Sequence, residues 1–206
     1  MKKDDDKVKI IKADRIDKDI DVRNQMAEIF AEGFAQWLVY FSKDKNILAK
    51  AFAHMFVLDQ FYVAMVDNKV AGMTACTDGN TLSVRLNKNE LRKYLGFIKG
   101  SMAGIFLKKE FEAPYKDFPT KTGSIEFVGT ASEFRGKGVA SQMIQHIIQN
   151  TPYHHYLIEE VADTNIPAMR LYEKLGFKEY KRKPIPEKIA KKNGINNLLS
   201  LRYEEK

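Results

Sequence analysis

Residues 124–150 read SIEFVGTASEFRGKGVASQMIQHIIQN, and this stretch constrains the fold more than any other. Ile125, Phe127 and Val128 predict a buried strand. A polar loop follows, then Arg135-Gly136-Lys137-Gly138-Val139-Ala140, then apolar residues at helical spacing. A strand, a glycine-rich turn and a helix start together form a device for holding phosphate. The first N–H groups of a helix have no partner within it, and the helix dipole favours an anion there. Gly136 and Gly138 let the backbone turn and approach a ligand without a Cβ in the way.

Spacing narrows the choice of phosphate ligand. A P-loop needs four residues between its first glycine and Gly-Lys, then Ser or Thr. Here six residues, Thr130 to Arg135, separate Gly129 from Gly136-Lys137, and Gly138 follows the lysine. That excludes a P-loop nucleoside triphosphatase. A dinucleotide fingerprint needs a third glycine where Ser141 stands, so that reading is weak. The pattern that fits is Arg-x-x-Gly-x-Ala, carried by Arg135, Gly138 and Ala140. A second motif lies downstream, Asn165-Ile-Pro-Ala-Met-Arg-Leu-Tyr-Glu-Lys-Leu-Gly-Phe177. In this order and spacing the two resemble the signatures of the GNAT superfamily of N-acetyltransferases, over about residues 123–180. Residues before 120 align with that family by element order only. The length of 206 residues suits one domain, expected as a single acetyltransferase domain over residues 1–206 with its coenzyme A-binding core at about 123–180. The resemblance implies a mixed α/β fold, a mostly antiparallel central sheet of about seven strands flanked by helices.

Composition sets outer bounds. The net charge of +7 and pI near 9.3 suit a polyanionic ligand, and equally nucleic acid or plain solubility. The basic segment 178–192 lacks the aromatic interleaving of single-strand binders, which argues against nucleic acid. Cys76 is the one cysteine, so no internal disulfide forms, which fits a reducing cytoplasm. MKKDDDK is followed by no apolar run, so no signal peptide is expected. No uninterrupted apolar stretch of ~18 residues predicts a membrane span.

Taken in order, Val8 to Ala13 reads as a strand. Val22 to Phe41 reads as one helix with a wide apolar face, and Asn46 to Leu58 as a second. Phe61–Val66 and Val70–Thr77 read as a hairpin turning at Asp67-Asn68-Lys69. Lys88 to Glu110 reads as one long extra helix between the third and fourth strands. Gly96, Gly100 and Gly104 recur in it at every fourth residue, which close approach of another backbone would explain. Three uses are open for it: core packing, shaping the acceptor site, or a contact between two copies in a homodimer. Pro114 and Pro119 break the chain before the fourth strand. Tyr156–Ala162 reads as a strand, Asn165–Leu175 as a helix, and Leu198–Tyr203 as the last strand. Phe177 to Lys181 begins a further strand, and the lysine-rich segment 178–192 reads as a loop or short helix.

Acetyl transfer from a thioester to an amine needs the thioester held, the developing oxyanion stabilised, the amine deprotonated and the thiolate protonated. The N–H groups of Gly136, Lys137, Gly138, Val139, Ala140 and Ser141 are the expected pyrophosphate cradle. Arg135 either pairs with phosphate or, as is common in the resembled family, supports the loop. By resemblance, the pantetheine arm of acetyl-CoA pairs with the backbone at Val128, Gly129 and Thr130, provided the strand splays from its neighbour. Gly129 is the expected bulge, and the Val128 N–H the oxyanion donor. Asn165, Ala168 or Met169, and Tyr172 share a helix face. The resemblance implies that Asn165 contacts the cofactor arm and that Tyr172 gives a proton to the thiolate. Glu126, Glu159 and Glu160 are candidate bases beside water. Glu126 comes first because alternation puts it on one strand face with Val128. No metal site is expected. The expected function is an acetyl-CoA-dependent N-acetyltransferase acting on a primary amine in a ternary complex. The alternative is a non-catalytic acyl-CoA-binding or regulatory relative.

Overall fold

The computed structural model describes residues 8–113, 115, 118–187, 190 and 194–204. Seven strands form one sheet in the order β1-β2-β3-β4-β5-β7-β6. They are β1 Lys9–Lys12, β2 Phe61–Val66, β3 Lys69–Thr77, β4 Thr122–Thr130, β5 His155–Ala162, β6 Lys178–Pro184 and β7 Asn197–Glu204. Adjacent strands run antiparallel except β4 and β5. The β2–β3 turn has φ of 47° at Asp67 and 62° at Asn68, the two left-handed residues of a type I′ turn.

Helices cover both faces. On one face lie α1 Val22–Gly33, the short α2 Ala35–Leu38, α3 Lys45–Phe52, α4 Lys88–Leu95 and α5 Phe97–Phe111. Their core includes Met26, Phe30, Leu48, Phe52, Met55 and Leu91, all buried against Phe61, Val63 and Met73 of the sheet. On the other face α6 Val139–Asn150 and α7 Ile166–Lys174 bury Ile144, Ile147 and Tyr172 against Ile125, Tyr156, Ile158 and Leu199. Asp21, Asp44 and Asn87 cap α1, α3 and α4 through their side chains, which is why these helices begin where they do.

Several expectations are corrected. The helix expected from Val22 to Phe41 stops at Gly33, and Phe34 stacks on Phe30 at 4.8 Å as the chain turns. That from Asn46 to Leu58 becomes α3 followed by two short 3₁₀ turns, 53–55 and 58–60. The long helix at 88–110 is two helices broken at Gly96, whose φ of 80° and ψ of 167° only glycine adopts freely. The α4–α5 pair folds back on itself. A Cβ on Gly100 would stand 2.5 Å from the Arg92 Cα, so the two helix backbones touch there. Lys178–Pro184, expected as a loop beyond Lys181, is the exposed edge strand β6. Pro114 and the basic residues Lys188, Lys191 and Lys192 lie outside the described residues.

Candidate functional site

Strands β4 and β5 pair only at Thr122–His155, Gly123–Tyr156 and Ser124–Leu157. Beyond that rung the two parallel strands part. Residues 125–130 of β4 keep their β3 ladder but have no strand on the other edge. The fork opens toward the C-terminal ends of both strands. There the loop after β4 leads into α6, and the turn after β5 leads into α7.

The bulge expected at Gly129 lies at Phe127 instead, where φ is 52° and the β3–β4 register shifts. Left-handed backbone at an aromatic residue costs about 1–3 kcal/mol. Burial of its ring among Phe30, Phe34, Phe61 and Phe111, at centroid distances of 5.5–6.3 Å, offsets that. Gly129 is glycine for another reason: a Cβ there would meet Ile29 of α1 at 2.7 Å. The bulge also undoes the two-residue alternation. Phe127 packs on the α1 face and Val128 on the α6 face. Glu126 bonds Thr77 and Ser83 on the side of Phe127, so it does not share a face with Val128.

The glycine-rich turn has the anticipated form. Gly136 and Gly138 have φ of 75° and 78°, and Gly138 is the residue before α6. The first intrahelical bond runs from Gln142 N to Gly138 O at 3.0 Å. The N–H groups of Val139, Ala140 and Ser141 therefore have no acceptor within the helix. Arg135 serves the loop: its Nε donates to Thr130 O at 3.2 Å, and its Nη2 lies 3.2 Å from Glu32 Oε1. Lys137 is exposed and lies 5.2 Å from the Phe134 ring centroid.

Asn165 caps α7, its Oδ1 accepting from Ala168 N at 3.3 Å. Its side-chain oxygen thus has a structural partner, and its amide donors have none among the described residues. Tyr172 lies two turns on, 5% exposed, its ring against Phe177. No protein partner bonds the Tyr172 hydroxyl among the described residues. Burial holds its pKa well above that of an ordinary tyrosine, so it keeps its proton at any working pH.

Carboxylates line both prongs. Glu126 accepts from Thr77 Oγ1 at 3.1 Å and Ser83 Oγ at 2.5 Å. Glu159 accepts from Ser200 Oγ at 2.5 Å and from the Tyr180 hydroxyl. Glu160, at the β5 bulge with φ of 56°, pairs with Lys183 Nζ at 3.1 Å. No described Lys or Arg pairs with Glu126 or Glu159. Tyr115 sits at the last rung that pairs β4 with β5, where its phenol oxygen accepts from Ser124 Oγ at 3.2 Å. Burial raises its pKa first, and the charges of Glu126, Glu159 and Glu160 add to that. The sequence reading missed Tyr115, Thr77, Ser83, Tyr180 and Ser200. Buried hydroxyls on β3 and β7 carry a weak signal, polar residues inside apolar strands. Tyr115, in the segment between α5 and β4, carries none. Cys76 is a small buried residue, its thiol pushed up to about 12 by burial.

A family model described as the acetyltransferase (GNAT) family matches residues 23–177. The chain belongs to that family. Among solved structures, the GNAT fold here resembles an N-acetyltransferase from Staphylococcus aureus Mu50, at 18% identity and TM-score 0.60, over 95% of this chain and 100% of that one. PH1933 from Pyrococcus horikoshii OT3 aligns at 18% identity and TM-score 0.56, over 97% and 99% of the two chains. The yncA protein of Salmonella typhimurium, solved with its cofactor acetyl-CoA, aligns at 13% and 0.55, over 97% and 94%. At such identities the likeness concerns the fold alone. No curated protein matches the sequence significantly. Among the described residues of this GNAT chain no helix is long and apolar enough to cross a membrane, and no cluster of His, Cys, Asp and Glu could hold a metal.

Proposed function

We propose that the chain is one acetyltransferase domain that transfers an acetyl group from acetyl-CoA to a primary amine by direct attack in a ternary complex. The observation that carries the reading is the fork. An unpaired β4 edge leads straight to a helix N-terminus with three free N–H groups. A ligand with a pyrophosphate at one end and an amide-bearing arm can satisfy both. Residues 136–141 hold the pyrophosphate, while Arg135 keeps the loop shaped. The arm runs along Val128, Gly129 and Thr130 and adds to β4 as a strand would. Asn165 and Ala168 flank it from α7.

In the reaction, the Val128 N–H meets the carbonyl oxygen as charge develops there. Glu126, held by two hydroxyls, takes the proton from the amine directly or through water. Tyr172, which stays protonated, donates to the departing thiolate. Even an ordinary tyrosine near ~10 is a weaker acid than a thiol near ~8.5, and burial makes Tyr172 weaker still, so its donation is a hydrogen bond to the thiolate as CoA leaves. The protein works in the cytoplasm.

Calorimetry with acetyl-CoA beside ATP and NAD tests the reading, on wild type and Gly138→Trp. Micromolar acetyl-CoA binding, lost in the variant and absent for ATP and NAD, is the expected result. Failure of a folded wild-type sample to bind acetyl-CoA would sink it. Binding without acetylation of any amine in a broad screen would favour a non-catalytic acyl-CoA-binding relative.

A further inference from the structure

We propose that Tyr115 is a specificity-determining residue, a plug at the closed end of the β4–β5 fork that limits the length of the acyl group. The inference rests on the cofactor reading above. The two strands part after Ser124–Leu157, so this rung is the floor of the fork. A cofactor anchored by its pyrophosphate at the α6 N-terminus runs back along β4 from the open end. Its acyl end therefore faces the floor.

Tyr115 stands at that floor. Its phenol oxygen is bonded to Ser124, the last paired residue of β4. Ser124 pairs with Thr77 of β3 on one side and Leu157 of β5 on the other, so the phenol bonded to it sits at the rung where β4 and β5 part. Its ring packs on Phe118 with centroids 4.9 Å apart. Phe118 in turn fills the space over Gly79, where a Cβ would meet the ring at 2.3 Å. At the other end of the segment, Glu112 Oε1 accepts from Leu86 N at 2.7 Å. A short acyl group stops before this ring. A longer one must displace it or turn against Glu126 and Glu159, whose carboxylates an apolar chain would strip of water.

The test needs no acceptor. Dissociation constants for acetyl-, butyryl- and hexanoyl-CoA are measured by calorimetry on wild type, Tyr115→Phe, Tyr115→Leu and Tyr115→Ala. Wild type is expected to bind hexanoyl-CoA about tenfold or more weakly than acetyl-CoA, the scale of discrimination that a filled pocket supplies. Tyr115→Phe keeps the ring and the discrimination. Tyr115→Ala shrinks the hexanoyl-to-acetyl ratio by about tenfold. Tyr115→Leu, closer in bulk and safer for folding, shrinks it partway. A wild-type ratio near one, or a ratio unmoved in both small variants, overturns the inference and leaves the cofactor reading standing. Failure of folded wild type to bind any acyl-CoA overturns both.

Discussion

Gly96, Gly100 and Gly104 look equivalent in the sequence, yet the structure assigns each a different response to alanine. At Gly100 the added Cβ would lie 2.5 Å from Arg92 Cα, 2.6 Å from Arg92 N and 2.7 Å from the Leu91 carbonyl carbon. These are backbone atoms of α4 and cannot rotate away, so α4 and α5 must separate. Overpacking of this kind costs about 1–3 kcal/mol, and the upper half applies where backbone is struck. Alanine recovers about 1 kcal/mol of helix propensity, leaving a net loss of about 1–2 kcal/mol. For a chain of this size that lowers Tm by about 2–8 °C. At Gly104 the nearest atoms are Lys88 Cγ at 3.2 Å and Cβ at 3.3 Å, on a flexible side chain. The propensity gain survives there, and Gly104→Ala is neutral or raises Tm by up to about 4 °C. At Gly96 nothing lies within 4 Å, but φ is 80° and ψ 167°. Alanine there costs about 1–3 kcal/mol through backbone strain alone. The assay is thermal and urea unfolding of the three single variants at pH 7. Shifts of one sign at Gly100 and Gly104 would refute the reasoning, because a propensity effect without contact treats them alike.

Tyr172→Phe is expected to lower the turnover of amine acetylation by about 10²–10⁴-fold, steady-state kinetics being the measure. Its acetyl-CoA affinity, read by calorimetry, separates a lost donor from a lost binding surface. Arg135→Ala removes an exposed pair with Glu32 and a bond to Thr130, so urea unfolding should show a loss under about 1 kcal/mol. Acetyl-CoA binding should weaken more visibly, since the loop loses its brace. The Cys76 thiol, raised to about 12 when folded, binds its proton more tightly in the native state than in the unfolded one. Its contribution is complete below the ordinary thiol pKa and is lost as pH rises from about 9 toward 12. Urea unfolding of wild type and Cys76→Ala at pH 8, 9 and 10 should show the wild type losing more stability with pH than the variant.

The parts of the fold legible in the sequence are those set by local chemistry. Asp67-Asn68 announced a tight hairpin because both residues tolerate left-handed backbone. Gly136 and Gly138 announced the turn into α6 for the same reason. What escaped was decided across the chain. The glycine spacing did point to a close backbone approach, which Gly100 makes with α4, but it could not show that Gly96 is a break, since the three look alike in one helix. The bulge was expected at Gly129, the permissive residue, and lies at Phe127 because four distant aromatic rings receive its side chain. The carboxylates of the fork stood out as charges in apolar strands. Their partners did not, because Ser83, Ser200 and Tyr180 come from separate elements.

The edge strand β6 bears on how copies of this chain can meet. All its residues are exposed, and Lys178, Lys181, Arg182 and Lys183 sit along it before Pro184. A second molecule extending the sheet by antiparallel pairing of β6 with itself would set cations against cations and meet a proline without an N–H to offer. The sheet is therefore blunted against growth at this end. Self-association of this chain, where it occurs, is expected to use a surface other than β6.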